Sequence, residues 1–389
     1  MRHSFHLQSF AIATAAVLGL AACSDQTTSP VEPALSAARG VSSSAAAGGV
    51  YTSTNGTGGN AIVAFSRAAN GSLTSLGSFS TGGTGTGGTV DPLASQYAIL
   101  LSDDNKLLFA VNAGSDDVSS FRVESDASLT LLSRQSSGGD RPVSLTQDGS
   151  LLYVLNAGDN TVTGLRISGG GKLVAIPNST RSLASGAAGA STIGVSPNGK
   201  YVLVTERGSN RIETFAVSPN GRLEAPVVTA SSGAVPFGFD FTASGHPIIT
   251  EAGGAVPNGA VSSYSIGTTG SLSTITASLD AGGAASCWVI LTADSRYAFV
   301  ANSASNTIAS VAVSSNATLT LLNAVSVNTG PNTTPIDVDL TEGDGFLFTL
   351  EARSGRVTGF LVGAGATLTA IGGAQAGPGS GGLQGVAAY

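Results

Sequence analysis

The sequence repeats itself, and no other feature restricts its fold as strongly. The clearest copies are residues 151–167 (LLYVLNAGDNTVTGLRI), 200–217 (KYVLVTERGSNRIETFAV) and 296–313 (RYAFVANSASNTIASVAV), each reading as a strand, a tight loop and a second strand. An apolar segment ending in a turn precedes each copy, as in Val195-Ser196-Pro197-Asn198-Gly199. A polar turn and a Leu-x-x-Leu-like segment follow, as in Ala317-Thr318-Leu319-Thr320-Leu321. The unit therefore has four strands. Aligning the residue that ends the second strand gives Asn55, Asn112, Asn156, Glu206, Glu251, Asn302 and Glu351, spaced 44 to 57 residues apart. Seven copies fill the chain from Gly49 to Tyr389.

Four-stranded repeats of roughly 40 to 50 residues predict an all-β, seven-bladed β-propeller of antiparallel blades. A β-helix is excluded, because its short, regular coils would not generate four strands per unit. The second strands are apolar almost without interruption (Leu151, Leu152, Val154, Leu155), as expected of sheets covered on both faces by neighbouring blades. The body opens on a second strand, residues 50–55, and ends on a first strand, residues 383–389, so the two termini are expected to share one blade and close the ring. No segment after the N-terminus sustains a 3.6-residue apolar period, which predicts few or no helices.

Ahead of the body, Arg2 precedes a 13-residue apolar run, residues 10–22, of signal-peptide length and too short to span a bilayer. It closes on Leu20-Ala21-Ala22-Cys23, which resembles the lipobox of bacterial lipoproteins. The resemblance implies a lipoprotein signal peptide over 1–22, an acylated Cys23 that anchors the chain to a lipid bilayer, and export to the outer membrane, cell surface or periplasm. Ser24 stands where Asp would retain a lipoprotein in the inner membrane. Residues 23–48 are rich in Ser, Ala and Pro and read as a flexible tether reaching about 25 to 30 Å, followed by the propeller over 49–389. With Cys23 acylated, Cys287 has no disulfide partner.

Charge is sparse: Asp, Glu, Lys and Arg make up 11% of the chain, the net charge is −7, and the only lysines are Lys106, Lys172 and Lys200. Nothing here can neutralise a run of phosphates, so nucleic acid is excluded as a partner. Downstream of the signal peptide the only histidine is His246, in a turn on the face away from the loops that join second and third strands. Histidine general-base chemistry and His/Cys metal sites are excluded with it, and no cofactor or metal is expected.

What charge there is gathers on the other face, where the loops between blades rim the central channel. Glu206, Glu251 and Glu351, three of eight glutamates, fall at one equivalent repeat position, with Arg207 and Arg353 within two residues and Arg141 on the same rim. These three glutamates are the candidate catalytic carboxylates, and Arg207, Arg353, Arg141 and Asp337 the candidate ligand-binding groups. The other reading is that each Glu caps loop amides where other repeats use Asn. Trp288 and Cys287 read as core, and residues 82–88, rich in glycine, as a flexible loop between blades.

Tyr-Val-x-Asn, a short loop, a Val-x-x-Phe strand and Gly-x-Leu together resemble the lactonase family of seven-bladed propellers, which includes bacterial 6-phosphogluconolactonase. The resemblance covers the whole body. Its more specific signal is a Pro-Arg-His run followed by a Glu ending the next strand. The matches here are Pro236-Phe237-Gly238 with Glu251 and Pro335-Ile336-Asp337 with Glu351, which keep Pro and Glu and lack Arg and His. The resemblance implies hydrolysis of a sugar lactone or related ester. The alternative is a non-catalytic surface or periplasmic propeller binding a glycan, peptide or protein on its channel face. A monomer holding a small polar ligand is expected.

Overall fold

A computed structural model describes residues 46–184, 186–253 and 259–389; the signal peptide, Cys23 and most of the tether lie outside these. Seven antiparallel sheets surround a channel. Numbered from the N-terminus, blades 2 to 7 take as innermost strands Ile99–Leu101, Pro142–Asp148, Ala190–Val195, Pro236–Phe241, Ser286–Leu291 and Pro335–Leu340. Blade 3 has its outer edge divided into two short pieces, Leu173–Ala175 and Arg181–Ser182, both paired with Thr161–Ile167. Among the described residues the only helix is one 3-10 turn, Glu342–Asp344.

Blade 1 is shared by the termini as expected. The C-terminal strand Gln384–Ala388 is innermost and pairs with Gly48–Ser53 through Val50 with Ala388, Tyr51 with Ala387 and Ser53 with Gln384. Side chains reinforce this seam. Asp337 and Asp339 of blade 7 accept the backbone N–H groups of Val386 and Ala388, at 3.3 and 2.8 Å. The same device joins blade 5 to blade 6, where Asp240 accepts the Leu291 N–H at 2.8 Å, and blade 3 to blade 4, where Thr146 accepts the Val195 N–H at 3.0 Å.

Burial follows position in the blade. The second strands Leu151–Asn156 and Tyr201–Glu206 are buried throughout except at their first residue. Outer strands such as Leu319–Asn328 are mostly open to solvent. Neighbouring blades are sealed by contacts such as Tyr51, Ile62, Leu108 and Phe121 between blades 1 and 2. The Tyr51 hydroxyl crosses that seam to donate to Ala127 O at 2.9 Å, and Tyr153 repeats the contact from blade 3 to Gly221 O of blade 4 at 3.1 Å.

Two expectations are corrected. In blade 1 Val50 pairs with Phe65 as Leu152 pairs with Leu165 in blade 3, so Thr54, not Asn55, occupies the repeat position of Asn156. Asn55 lies one residue further on, in a left-handed conformation (φ 49°), and its side chain bonds Thr86 and Gly87. The glycine-rich segment is also not a free loop. Gly85 passes so close to Asn55 that a Cβ on it would stand 2.2 Å from the Asn55 carbonyl carbon, and its N–H bonds Gly56 O at 2.8 Å. Only glycine fits there.

Candidate active site

The connection between blades 1 and 2 turns into the channel after Gly88 and fills it. Gln96, fully buried, donates from Nε2 to Val289 O of blade 6 at 2.8 Å, and its own carbonyl accepts the Ser144 hydroxyl of blade 3 at 2.6 Å. Ser95 donates to Val143 O at 2.8 Å, and the Trp288 indole N–H donates to Ser95 O at 3.0 Å. Four non-glycine residues of this segment, Val90, Asp91, Ala94 and Tyr97, have φ between 41° and 64°. Backbone of that kind is strained and persists only where the surroundings over-determine it, as these contacts do.

This plug carries Asp91 to the channel mouth. Its Oδ1 accepts the Ala94 N–H at 3.0 Å, and Gln384, the Ser95 N–H, Arg207 and Cys287 complete its surroundings. Burial pushes the Asp91 carboxyl up to about 7, against the opposing pull of those N–H groups and of the Arg207 guanidinium. The residue is half-buried. Arg207, also half-buried, has no partner for its Nε among the described residues. A carboxyl that changes charge near neutrality beside a guanidinium can take a proton from water while the cation holds an oxyanion.

The three glutamates do not join this site. All are buried, and each is engaged within its own blade. Glu251 accepts the Gly233 N–H at 2.8 Å and the Ser262 and Ser278 hydroxyls at 2.5 and 2.6 Å. Glu351 accepts the Ser354 hydroxyl at 2.8 Å, closing the turn that follows it. Glu206 accepts the Ser209 hydroxyl, and its Oε1 is buried with no partner among the described residues; the nearby Glu213 carboxyl is raised to about 8 by burial first and by Glu206 second. The physical reason for the correction is their strand: the innermost strands line the channel, and second-strand residues stand one strand spacing, about 4.8 Å, further out.

The remaining candidates divide. Arg141 holds the plug: its Nη2 donates to Pro92 O at 2.9 Å, while its backbone N–H is fixed by Asp116 at 2.7 Å. Asp337 is buried in the seam between blades 7 and 1, where burial drives its carboxyl well above the usual range; it is a staple and not a ligand contact. Arg353 is exposed and lines a pocket of about 390 Å³ on the rim with Ser303, Asn306, Asn332 and Thr334. The Ser303 hydroxyl donates to Ala285 O at 3.2 Å. Burial pushes the Cys287 thiol up to about 12, so it is inert at neutral pH. His246 sits in the turn between the first two strands of blade 5, its Nδ1 within 2.9 Å of Ser244 Oγ. Among the described residues no three His, Cys, Asp or Glu side chains are placed to hold a metal.

Sequence reasoning missed Asp91, although two signals mark it. It is the one acidic residue between Glu32 and Asp103, and it lies within the longest of the repeat spacings, 57 residues.

A ring of seven antiparallel blades closed by its two termini is the architecture of a seven-bladed β-propeller. The chain belongs to the family described as Lactonase, 7-bladed beta-propeller, which it matches over residues 59–182, 172–252 and 248–381. Among solved structures it is similar to a Bacteroides fragilis protein provisionally named 6-phosphogluconolactonase, with 19% identity, a TM-score of 0.69, and coverage of 88% of this chain and 98% of that one. It is also similar to the periplasmic gluconolactonase of Pseudomonas aeruginosa, with 19% identity, a TM-score of 0.64, and coverage of 86% and 98%. A Lactobacillus plantarum protein matches with 17% identity, a TM-score of 0.69, and coverage of 88% and 99%. No curated protein matches in sequence.

Proposed function

We propose that the protein is an exported lipoprotein, anchored through acylated Cys23, that hydrolyses a sugar lactone or related ester at the channel mouth. The observation that carries this reading is Asp91, a half-buried carboxyl on the channel-filling loop, raised to about 7 by burial and opposed by the charge of Arg207, whose Nε has no partner among the described residues. Asp91 takes a proton from a water as its oxygen bonds to the lactone carbonyl carbon. The carbonyl electron pair moves to oxygen, where Arg207 stabilises it. Collapse breaks the ring C–O bond, and the leaving alkoxide recovers the proton from Asp91, giving the open hydroxy acid. Arg353 and its pocket take a polar part of the substrate. The family's lactonase description and the gluconolactonase names of two similar structures support this chemistry. An exported protein meets unphosphorylated lactones, since the phosphorylated sugar lactone is a metabolite of the cytosol.

The test is hydrolysis of a panel of unphosphorylated aldonolactones by the mature chain and by Asp91→Asn. Loss of a general base lowers kcat/KM by about 10²- to 10⁴-fold. Binding of a glycan, peptide or protein on this face with no turnover of any lactone would replace the hydrolase with a recognition module. Anchoring is tested by Cys23→Ser, which is expected to release the protein from membranes or leave it unprocessed. Normal processing and full membrane retention of that variant would contradict the lipoprotein reading.

A further inference from the structure

Asp91 can act as a base only if its strained loop is held still, and the groups that hold it come from distant blades. Pro92 O accepts Arg141 Nη2 of blade 3 at 2.9 Å. Ser95 is held on the other side of the loop: its carbonyl accepts the Trp288 indole of blade 6 at 3.0 Å, and its N–H faces the Asp91 carboxyl and favours its charged form. Trp288 is itself fixed, buried and edge-on to Phe237 at 5.2 Å between ring centroids. Neither residue's contacts include the Asp91 carboxyl, and each fixes a peptide group beside it.

We infer that Arg141 and Trp288 are positioning residues for Asp91: from opposite sides of the channel they lock the left-handed plug and so set where its carboxyl stands. This rests on the reading of Asp91 as the base. Arg207, Gln384 and Cys287 face the carboxyl directly and define its environment. Arg141 and Trp288 define its place among them.

Trp288 is the only tryptophan, so its emission reports the plug without reference to turnover. The mature chain and its Asp91→Asn, Arg141→Met and Arg141→Lys variants are titrated from acid to alkaline pH, following emission. The parent is expected to show a transition near neutrality that Asp91→Asn abolishes. Arg141→Met should displace its midpoint by about half a pH unit or more, since a changed carboxyl environment is a changed pKa. It should also lower kcat by about 10- to 100-fold while KM changes by less than about threefold, as for a displaced catalytic group. Arg141→Lys, which keeps a cationic donor, should recover most of both.

Trp288→Phe keeps the ring packing and removes the N–H, and should shift the pH dependence of kcat in the same direction. It keeps the inference open to refutation if Arg141→Met does not fold. An emission transition that survives Asp91→Asn, or an unmoved midpoint and unmoved kcat in Arg141→Met and Trp288→Phe, would overturn the positioning role. If no lactone is turned over but the Arg141→Met midpoint moves, the positioning holds and the catalytic reading fails.

Discussion

Glu251 shows what a buried carboxylate does in this ring. Among the described residues three donors meet it, from Gly233 in the connection from blade 4 and from Ser262 and Ser278 in the two outer strands of blade 5, and together they tie these to the end of the blade's second strand. A carboxylate accepts all three without conflict, whereas an amide turns two of its own donors toward them. Glu251→Gln is therefore expected to lose about 1 to 3 kcal/mol of stability while leaving lactone turnover at the parent level, read by thermal unfolding and initial rates. A stability-neutral variant with abolished turnover would return Glu251 to the catalytic role. The repeat alignment made the position of these glutamates legible in the sequence. It could not show the direction of their side chains, because a strand's place within the blade decides whether it lines the channel or the space between blades.

The innermost strands carry a second kind of acid, with Asp337 buried and Asp240 and Asp339 half-buried. Asp240 and Asp339 are raised to about 6 and about 7 by burial, with the N–H groups they accept opposing it, and Asp337 is raised further, by burial and then by Asp339. Carboxyls raised in the folded state bind protons more readily there than in the unfolded chain. Their stabilising contribution is complete below the unfolded value near 4 and is lost as pH rises through about 6 to 7. The seams they staple are therefore expected to be more stable at pH 5 than at pH 8, with Tm several degrees higher at the acid end, by calorimetry. Asp240→Asn, which cannot ionise, should flatten that dependence; a Tm that rises from pH 5 to pH 8 would contradict it. Pattern alone could not reveal these staples, since the alternation of Asp337 and Asp339 places them on one face of their strand without showing which backbone groups of the next blade they take. The plug was hidden for a related reason. It follows directly on the glycine-rich residues 82–88, which match a mobile loop, and only the contacts of Gln96, Ser95 and Arg141 across the channel show that it is fixed.

The ring as a whole was the most legible part of the chain, because a repeat reports seven times on the same four strands and the offset of the termini dictates how they close. The proposed chemistry rests instead on a connection that breaks the repeat, so the regularity that disclosed the fold drew attention away from the candidate site. The reading of the channel mouth as a hydrolytic centre stands or falls on Asp91, and the pH dependence of kcat/KM for the best lactone interrogates it most directly. In the parent, kcat/KM should rise tenfold per pH unit below about 7 and level off above it, following ionisation of the base. Asp91→Asn should abolish both the rise and most of the rate. A profile that rises through the ordinary carboxylate range near 4, or one that Asp91→Asn leaves intact, would contradict it.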